Sequence, residues 1–370
     1  MNERNYDSVD GSGPAYLEYD VAKVLAGRPV GREMTDQEAE SLADWIGRVW
    51  QVAPVAIPAL LEQYGHQLKP ETRQRLGAIC AAATVQGRLS RTVAAEVVRA
   101  FADGGVVLVA LKGTANGFVG YADPAYRTGA DLDFCVRPDA LEDAKAVLRT
   151  VGFWPGAYDP ETQTFSPTTV ESRAKEEVDH YALGFWVKIM DLGTVSPLAA
   201  EGFRWMGDLL PFASEVDGST VRTPVLVDIH HAIGSGISTS DILDRPVPHD
   251  WEGIQFLLPP LEWMAFHAMF KLYWEGAQSY RKGFQYLADF ARIALQLNDD
   301  ETDAFASLVE GHNLRRGAAY VLRRMPGFLD SEFPDSFRRL LDQWKSLRPG
   351  ETLTSSNDIG DFWPHMFGRL

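Results

Sequence analysis

Two aspartates one residue apart, Asp131 and Asp133, interrupt the otherwise apolar stretch from Ala130 to Val136, and the run Lys112-Gly113-Thr114 lies upstream of them. In a strand, side chains alternate between faces, so both carboxylates project to the same side. Like charges held that close repel unless a cation lies between them, and unpaired buried charge is strongly disfavoured. Magnesium carrying a triphosphate meets the need, because it takes oxygen ligands octahedrally and shares them between carboxylates and phosphates; manganese is the alternative. Gly113 would let the backbone come close to the phosphates, and Thr114 would offer its hydroxyl and amide at a helix start, where anions are favoured. Lys112 would supply a cation to phosphate or to an anionic acceptor, unless it simply ends a strand at the surface. Arg127, four residues before the first carboxylate, would either grip the triphosphate bidentately or brace the aspartates.

A third carboxylate is expected downstream. In Val225-Leu226-Val227-Asp228-Ile229-His230 the flanking Val227 and Ile229 share one face, while Asp228 and His230 point to the other. Asp191, in Lys188-Ile189-Met190-Asp191 on another predicted strand, is the competitor for that place. His230 would orient Asp228 or touch substrate. Further on, His267, Lys271 and Asp289 are candidates for an acceptor pocket, with helix packing as the plainer role of each.

These motifs carry a resemblance. The stretch from Val106 through Lys112-Gly113-Thr114 to Arg127, Asp131 and Asp133 resembles the uncharacterised nucleotidyltransferase family of bacteria, within the DNA polymerase β-like nucleotidyltransferase superfamily. The Asp228-Ile229-His230 strand is similar to that family's third-carboxylate strand. The segment Pro260 to Leu297, with His267, Lys271 and Tyr286-Leu287-Ala288-Asp289, is similar to its C-terminal helical part. The resemblance runs from about Glu96 to Leu297. It implies an α+β fold with a small mixed β-sheet nucleotidyltransferase core, flanked by N-terminal and C-terminal helical regions.

The elements that must position these residues can be read locally. Residues 1–33 are rich in Gly, Asp and Pro without sustained periodicity, so helix is expected only after them and the first dozen residues are expected to be mobile. Thr35-Asp36-Gln37-Glu38 is a capping box opening a helix with Leu42, Trp45, Ile46 and Val49. Two or three helices should follow between Val55 and Asp103, the last over Arg91 to Ala102, stopped by Gly104-Gly105 before a strand Val106 to Leu111. A helix is expected from Pro138, a long excursion over 154–180, a strand His180 to Leu192, and a hairpin turning at Asp217-Gly218 into the Asp228 strand. From Pro259 the apolar spacing is helical, and Trp263, Tyr273, Trp274, Tyr280 and Phe284 read as core before they read as pocket. The division is therefore 1–95 helical, 96–258 catalytic core and 259–370 helical.

Charge and composition narrow the partners. The chain has 370 residues, 35 Lys plus Arg against 51 Asp plus Glu, and a formal net charge of -16. Such a surface repels the phosphate backbone that dominates nucleic-acid affinity, so a nucleic-acid substrate is disfavoured. No apolar run reaches the eighteen or so residues that span a bilayer, no signal-like N-terminus is present, and cysteine occurs only at Cys80 and Cys135; a cytoplasmic protein without a membrane partner is expected. A Gly-x-x-x-x-Gly-Lys-Ser/Thr loop, His-Glu-x-x-His, Cys-x-x-Cys and a post-strand Gly-x-Gly-x-x-Gly are all missing from the sequence. The expected activity is metal-dependent transfer of a nucleotidyl group from an NTP, ATP among the candidates, to a small-molecule or peptide acceptor. The rivals are a silent nucleotide-binding protein of the same fold and a metal-dependent kinase.

Overall fold

The computed structural model describes residues 15–129, 131–159, 164–168, 182–207, 214–234, 237–276, 280–329 and 332–344. Its N-terminal part is helical: α1 (Ala15–Leu25), α2 (Asp36–Arg48), α3 (Ala53–Tyr64) and α4 (Pro70–Asp103). The capping box at Thr35 forms as expected, the Glu38 carboxylate accepting from the Thr35 amide at 2.8 Å. Helix α1 was not expected before residue 33. Its apolar stripe, Val21, Ala22, Val24 and Leu25, is too short to signal by periodicity and is helical because it packs into the core. The expected mobility of the first dozen residues lies outside the described ones.

Two helices, α3 and α4, fill the span to Asp103 as expected, but the last does not begin at Arg91: it is the end of one continuous α4 of 34 residues. Gly87 in its middle is a weak helix former, but tertiary packing requires it. A Cβ at Gly87 would lie 1.9 Å from the Ala125 carbonyl oxygen, so the helix backbone rests directly on the turn that carries Arg127.

The strands are β1 (Val109–Ala110), β2 (Asp131–Cys135), β3 (Trp154–Asp159), β4 (Thr164–Pro167), β5 (Ala182–Thr194), β6 (Glu215–Asp217), β7 (Thr220–His230), β8 (Ala232–Gly234), β9 (Ile237–Ser238), β10 (Val247–Trp251) and β11 (Ile254–Leu258). Nine of them build one mixed sheet in the order β10-β11-β1-β2-β7-β5-β3-β4, with β6 paired to β7. Strand β1 is shorter than the predicted 106–111. The hairpin β10-β11, which places a parallel neighbour beside β1, was not anticipated: no position of β10 is buried, so Val247-Pro248-His249-Asp250-Trp251 shows no apolar alternation to read as a strand. The excursion after 154 contains the β3-β4 hairpin, and the rest of it lies outside the described residues.

The turn Asp217-Gly218 and its return strand form as expected. Pro224 is tolerated inside β7 because it falls where that strand leaves β6, last paired at Arg222, and meets β2, first paired at Leu226.

Among the described residues, helices fall between strands at α5 (Lys112–Gly120), α6 (Leu141–Thr150) and α7 (Pro197–Gly207). A short α8 (Ser240–Asp244) precedes the last hairpin, and α9 (Leu261–Gly276), α10 (Tyr280–Ala294), α11 (Asp299–Gly311), α12 (Arg315–Leu322), α13 (Pro326–Leu329) and α14 (Asp335–Trp344) follow it. Lys188 on β5 reaches Glu96 of α4 at 2.8 Å, placing α4 against the sheet face opposite the aspartates. One buried apolar cluster runs from Val21 to Trp344 and includes Trp263, Tyr273 and Phe284, the core reading of those aromatics. The side chains of Trp274 and Tyr280 lie outside the described residues. Cys135 is fully buried.

Candidate active site

Register alone assembles the carboxylates. Strands β2 and β7 are parallel neighbours with Asp131 opposite Leu226, Asp133 opposite Asp228, and Cys135 opposite His230. Paired residues share a face, so Asp131, Asp133, Asp228 and His230 all rise from one side of the sheet. The His230 Nε2 lies 2.9 Å from Asp133 Oδ1 and 3.1 Å from Asp228 Oδ2, bridging the two carboxylates. Asp228 Oδ1 is buried without a hydrogen-bond partner among the described residues. Asp191 does not compete: it is exposed, pairs in register with Arg222 rather than with the 228 row, and accepts the amide of Gly193 at 2.8 Å.

Lys112 closes the cluster. Its ammonium lies 2.5 Å from Asp133 Oδ1 and 3.1 Å from His230 Nε2, with only 12 % of the side chain exposed. The residue opens α5 with φ +44°, a left-handed backbone that costs a Cβ-bearing residue roughly 1–2 kcal/mol. Such strain persists where surrounding contacts over-determine it, here the buried ion pair. No side chain caps α5, whose N-cap is Leu111, so the first amides of that helix remain available to an anion.

The charges tune one another. Burial raises the Asp131 carboxyl to about 7, with the Asp133 carboxylate adding to the shift. Burial would raise Asp133 too, but Lys112 and His230 hold it well below the usual carboxylate range. His230 is pushed down by burial and by Lys112, yet the carboxylates of Asp228 and Asp133 outweigh both and leave it raised. Lys112, despite burial, is raised by Asp133.

The remaining residues separate into two groups. Thr114 accepts the Asp133 amide on its hydroxyl at 2.9 Å, so it fixes β2, the first carboxylate strand, to α5. Gly113 packs on Arg127, whose guanidinium a Cβ would meet at 3.1 Å. Arg127 does not face the aspartates of β2. It forms a fork with Asp289 of α10, Nε to Oδ1 at 2.8 Å and Nη2 to Oδ2 at 2.9 Å, both side chains essentially fully buried. Asp289 also receives Asn116 Nδ2 at 3.0 Å and the Tyr121 hydroxyl at 2.9 Å, which fills its acceptor sites and takes it out of any pocket. His267 and Lys271 lie one turn apart on α9 and are both buried. The His267 Nε2 has no partner among the described residues, and burial, with Lys271 and Lys112 nearby, holds the ring well below the usual histidine range.

Sequence reasoning missed Arg91. Buried in α4, it donates to the carbonyls of Thr114 at 2.6 Å, Pro124 at 3.0 Å, Gly113 at 3.1 Å and Arg127 at 3.1 Å. Burial and the neighbouring Arg127 push its guanidinium down to about 9, still charged at neutral pH. It ties the lysine turn to the arginine turn. The available signal was one arginine on an otherwise apolar helix face, which reads equally well as a surface charge.

Do these residues fit a divalent cation? The ligand atoms of Asp133, Asp228 and His230 all lie within 4.8 Å of one another, and Asp228 Oδ1 is a buried acceptor without a partner among the described residues. Carboxylate oxygens suit magnesium or manganese, and His230 serves as their hydrogen-bond donor. The set fits.

A mixed sheet carrying acidic residues abreast on neighbouring strands, next to the uncapped start of a helix, is an arrangement suited to a divalent cation and phosphate oxygens. The comparisons agree: residues 36–330 match the family described as uncharacterised nucleotidyltransferase, and the chain belongs to that family. It is thus a transferase of phosphorus-containing groups. No curated protein and no solved structure matches the chain. No helix among the described residues is long and apolar enough to cross a membrane.

Proposed function

We propose that the protein transfers a nucleotidyl group from an NTP to a hydroxyl of a small-molecule or peptide acceptor, releasing pyrophosphate in a magnesium-dependent reaction. The observation that carries this reading is Asp228 Oδ1, buried and without a hydrogen-bond partner among the described residues, one strand away from Asp133. Asp133 and Asp228, with Asp131 beside them, would hold the metal. When bound it would neutralise phosphate charge and acidify the acceptor hydroxyl.

The chain's own groups supply the rest. The uncapped amides at the start of α5 bind phosphate oxygens, and Lys112 turns its charge from Asp133 toward the triphosphate. Asp228 Oδ1 takes the acceptor hydroxyl proton. The acceptor oxygen bonds to the α-phosphorus in line as the bond to the β-phosphate oxygen breaks, and pyrophosphate leaves. His230 keeps both carboxylates oriented, and Arg91 and Arg127 hold the turns that present Lys112. The acidic surface, net -16, favours an acceptor other than nucleic acid.

The test is a thermal-shift panel of ATP, CTP, GTP and UTP with and without magnesium, on wild type and the Asp131→Ala/Asp133→Ala variant. Magnesium-dependent stabilisation by one nucleotide, lost in the variant and followed by pyrophosphate release in an acceptor screen, is the expected result. Nucleoside diphosphate as product would make the protein a kinase. Stabilisation with neither pyrophosphate nor nucleoside diphosphate released would make it a silent nucleotide-binding member of the fold, and stabilisation by none of the four would overturn the nucleotidyl-transfer reading.

A further inference from the structure

On the side of the cluster away from Lys112 the sheet carries two exposed aromatic side chains. Phe185 on β5 lies directly opposite Asp228, so Asp133, Asp228 and Phe185 form one row across three strands. The next row is Asp131, Leu226, Val187 and Trp154, across four strands. Paired positions share a face, so both aromatics stand on the same surface as the carboxylates. Trp154 is diagonal to Phe185 across the β3-β5 pair, a spacing of roughly 7–8 Å within which two rings can reach one ligand.

Their exposure is unusual for where they stand. Trp154 is 56 % and Phe185 45 % exposed, while Val187 and Leu226 between them are buried and, with Ile189, form a small apolar cluster separate from the main core. The chain also spends a backbone irregularity on Phe185. Gly184 has φ +74°, and the β5-β7 register slips between Ala182 and Phe185, so three residues of β5 span two of β7. Without that bulge, the alternation from Ala182 would put Phe185 on the opposite face. Bulges of this kind re-aim side chains beside functional sites.

We infer that Trp154 and Phe185 form the acceptor subsite, a platform on which a planar ring of the hydroxyl-bearing substrate stacks while its hydroxyl reaches Asp228. This rests on the nucleotidyl-transfer reading for the role of the hydroxyl. The donor's side is fixed by α5 and Lys112, which lie toward β1, and the platform lies on the other side, toward β5 and β3. Neighbouring strands are about 4.8 Å apart, so the Phe185 backbone is one strand spacing from Asp228 and about two from Asp133. A ring compound with a hydroxyl a few bonds away spans that distance.

The test uses the full chain and indole-3-ethanol, a flat ring with a hydroxyl two carbons away, in saturation-transfer NMR, with 1-butanol as the ringless control. Wild type should transfer saturation to the indole protons and not to butanol. Trp154→Ala/Phe185→Ala should cut the transfer at least fivefold with an unchanged melting temperature, and Trp154→Phe/Phe185→Tyr should retain it. None of the four NTPs with magnesium should displace the probe. Absence of transfer in wild type, or transfer undiminished in the alanine variant, overturns the subsite. Displacement by a nucleotide gives the platform to the donor's base and overturns its assignment to the acceptor. Failure of the nucleotidyl-transfer reading shows separately, as no magnesium-dependent stabilisation by any nucleotide.

Discussion

Two buried charge clusters stand beside each other in this protein, and each sets aspartate against a cationic side chain. Around Asp289, the Arg127 fork, Asn116 and Tyr121 all donate to one carboxylate. Around Asp133 and Asp228, a lysine and a histidine face the carboxylates, and Asp228 Oδ1 is left without a partner among the described residues. Burying a charge is costly unless it is paired and hydrogen-bonded. The first cluster meets that demand within the chain, and the second leaves one acceptor over. Saturation of hydrogen bonds, more than residue type, separates a structural ion pair from one prepared for a ligand.

The comparison can be broken by removing one partner from each cluster. Asp228→Asn should have the largest effect, lowering turnover on the order of 100-fold or more, as loss of a group that contacts the reacting centre does. Its midpoint in urea should stay close to wild type, and a variant that unfolds would place Asp228 in the structural class. Arg127→Ala reverses the pattern: it strands a buried Asp289 carboxylate and should cost about 3–5 kcal/mol of stability in urea denaturation. Wild-type stability for Arg127→Ala would mean the fork is dispensable.

Arg91→Lys sharpens the comparison at its boundary. A lysine keeps the charge but cannot reach four carbonyls at once, so about 1–3 kcal/mol of stability should go with the unpaired carbonyls. Magnesium-dependent nucleotide binding should weaken too, because the turn holding Lys112 loosens. Retained binding at reduced stability would confine Arg91 to the fold.

The smallest effect concerns pH. His267 is held well below its ordinary range, chiefly by burial, so the unfolded chain binds a proton there that the folded chain refuses. Stability is complete above the unfolded value, near 6.5, and should fall as pH drops below it. Melting curves for wild type and His267→Gln between pH 8 and 5 should diverge only at the acid end. Parallel curves would show that His267 takes up its proton without penalty.

Much of the site was legible along the chain because its parts are local signals. Alternation put Asp131 with Asp133 and Asp228 with His230, and the Asp217-Gly218 turn announced the strand that carries the second pair. The run at Lys112 to Thr114 correctly marked the start of a helix. The partners of Arg127 were not legible: a guanidinium four residues before a carboxylate gives no sign that it faces Asp289, 162 residues away. The same holds for Thr114, whose hydroxyl serves the Asp133 amide, and for Arg91, whose four acceptors belong to two separate turns of chain. Helix α1 and the β10-β11 hairpin escaped because each is short and owes its form to packing.

The sequence by itself determined which residues share a face, where a helix must begin and which faces are apolar, since these follow from periods of two and 3.6 residues and from local capping chemistry. Tertiary structure alone decided which strand lies beside which, and therefore that Asp133 meets Asp228 and not Asp191. It also decided which charges are satisfied and which keep an acceptor without a partner among the described residues. The physical reason is range: propensity and periodicity act over a few residues, whereas burial and hydrogen-bond saturation depend on neighbours that only the folded chain brings together.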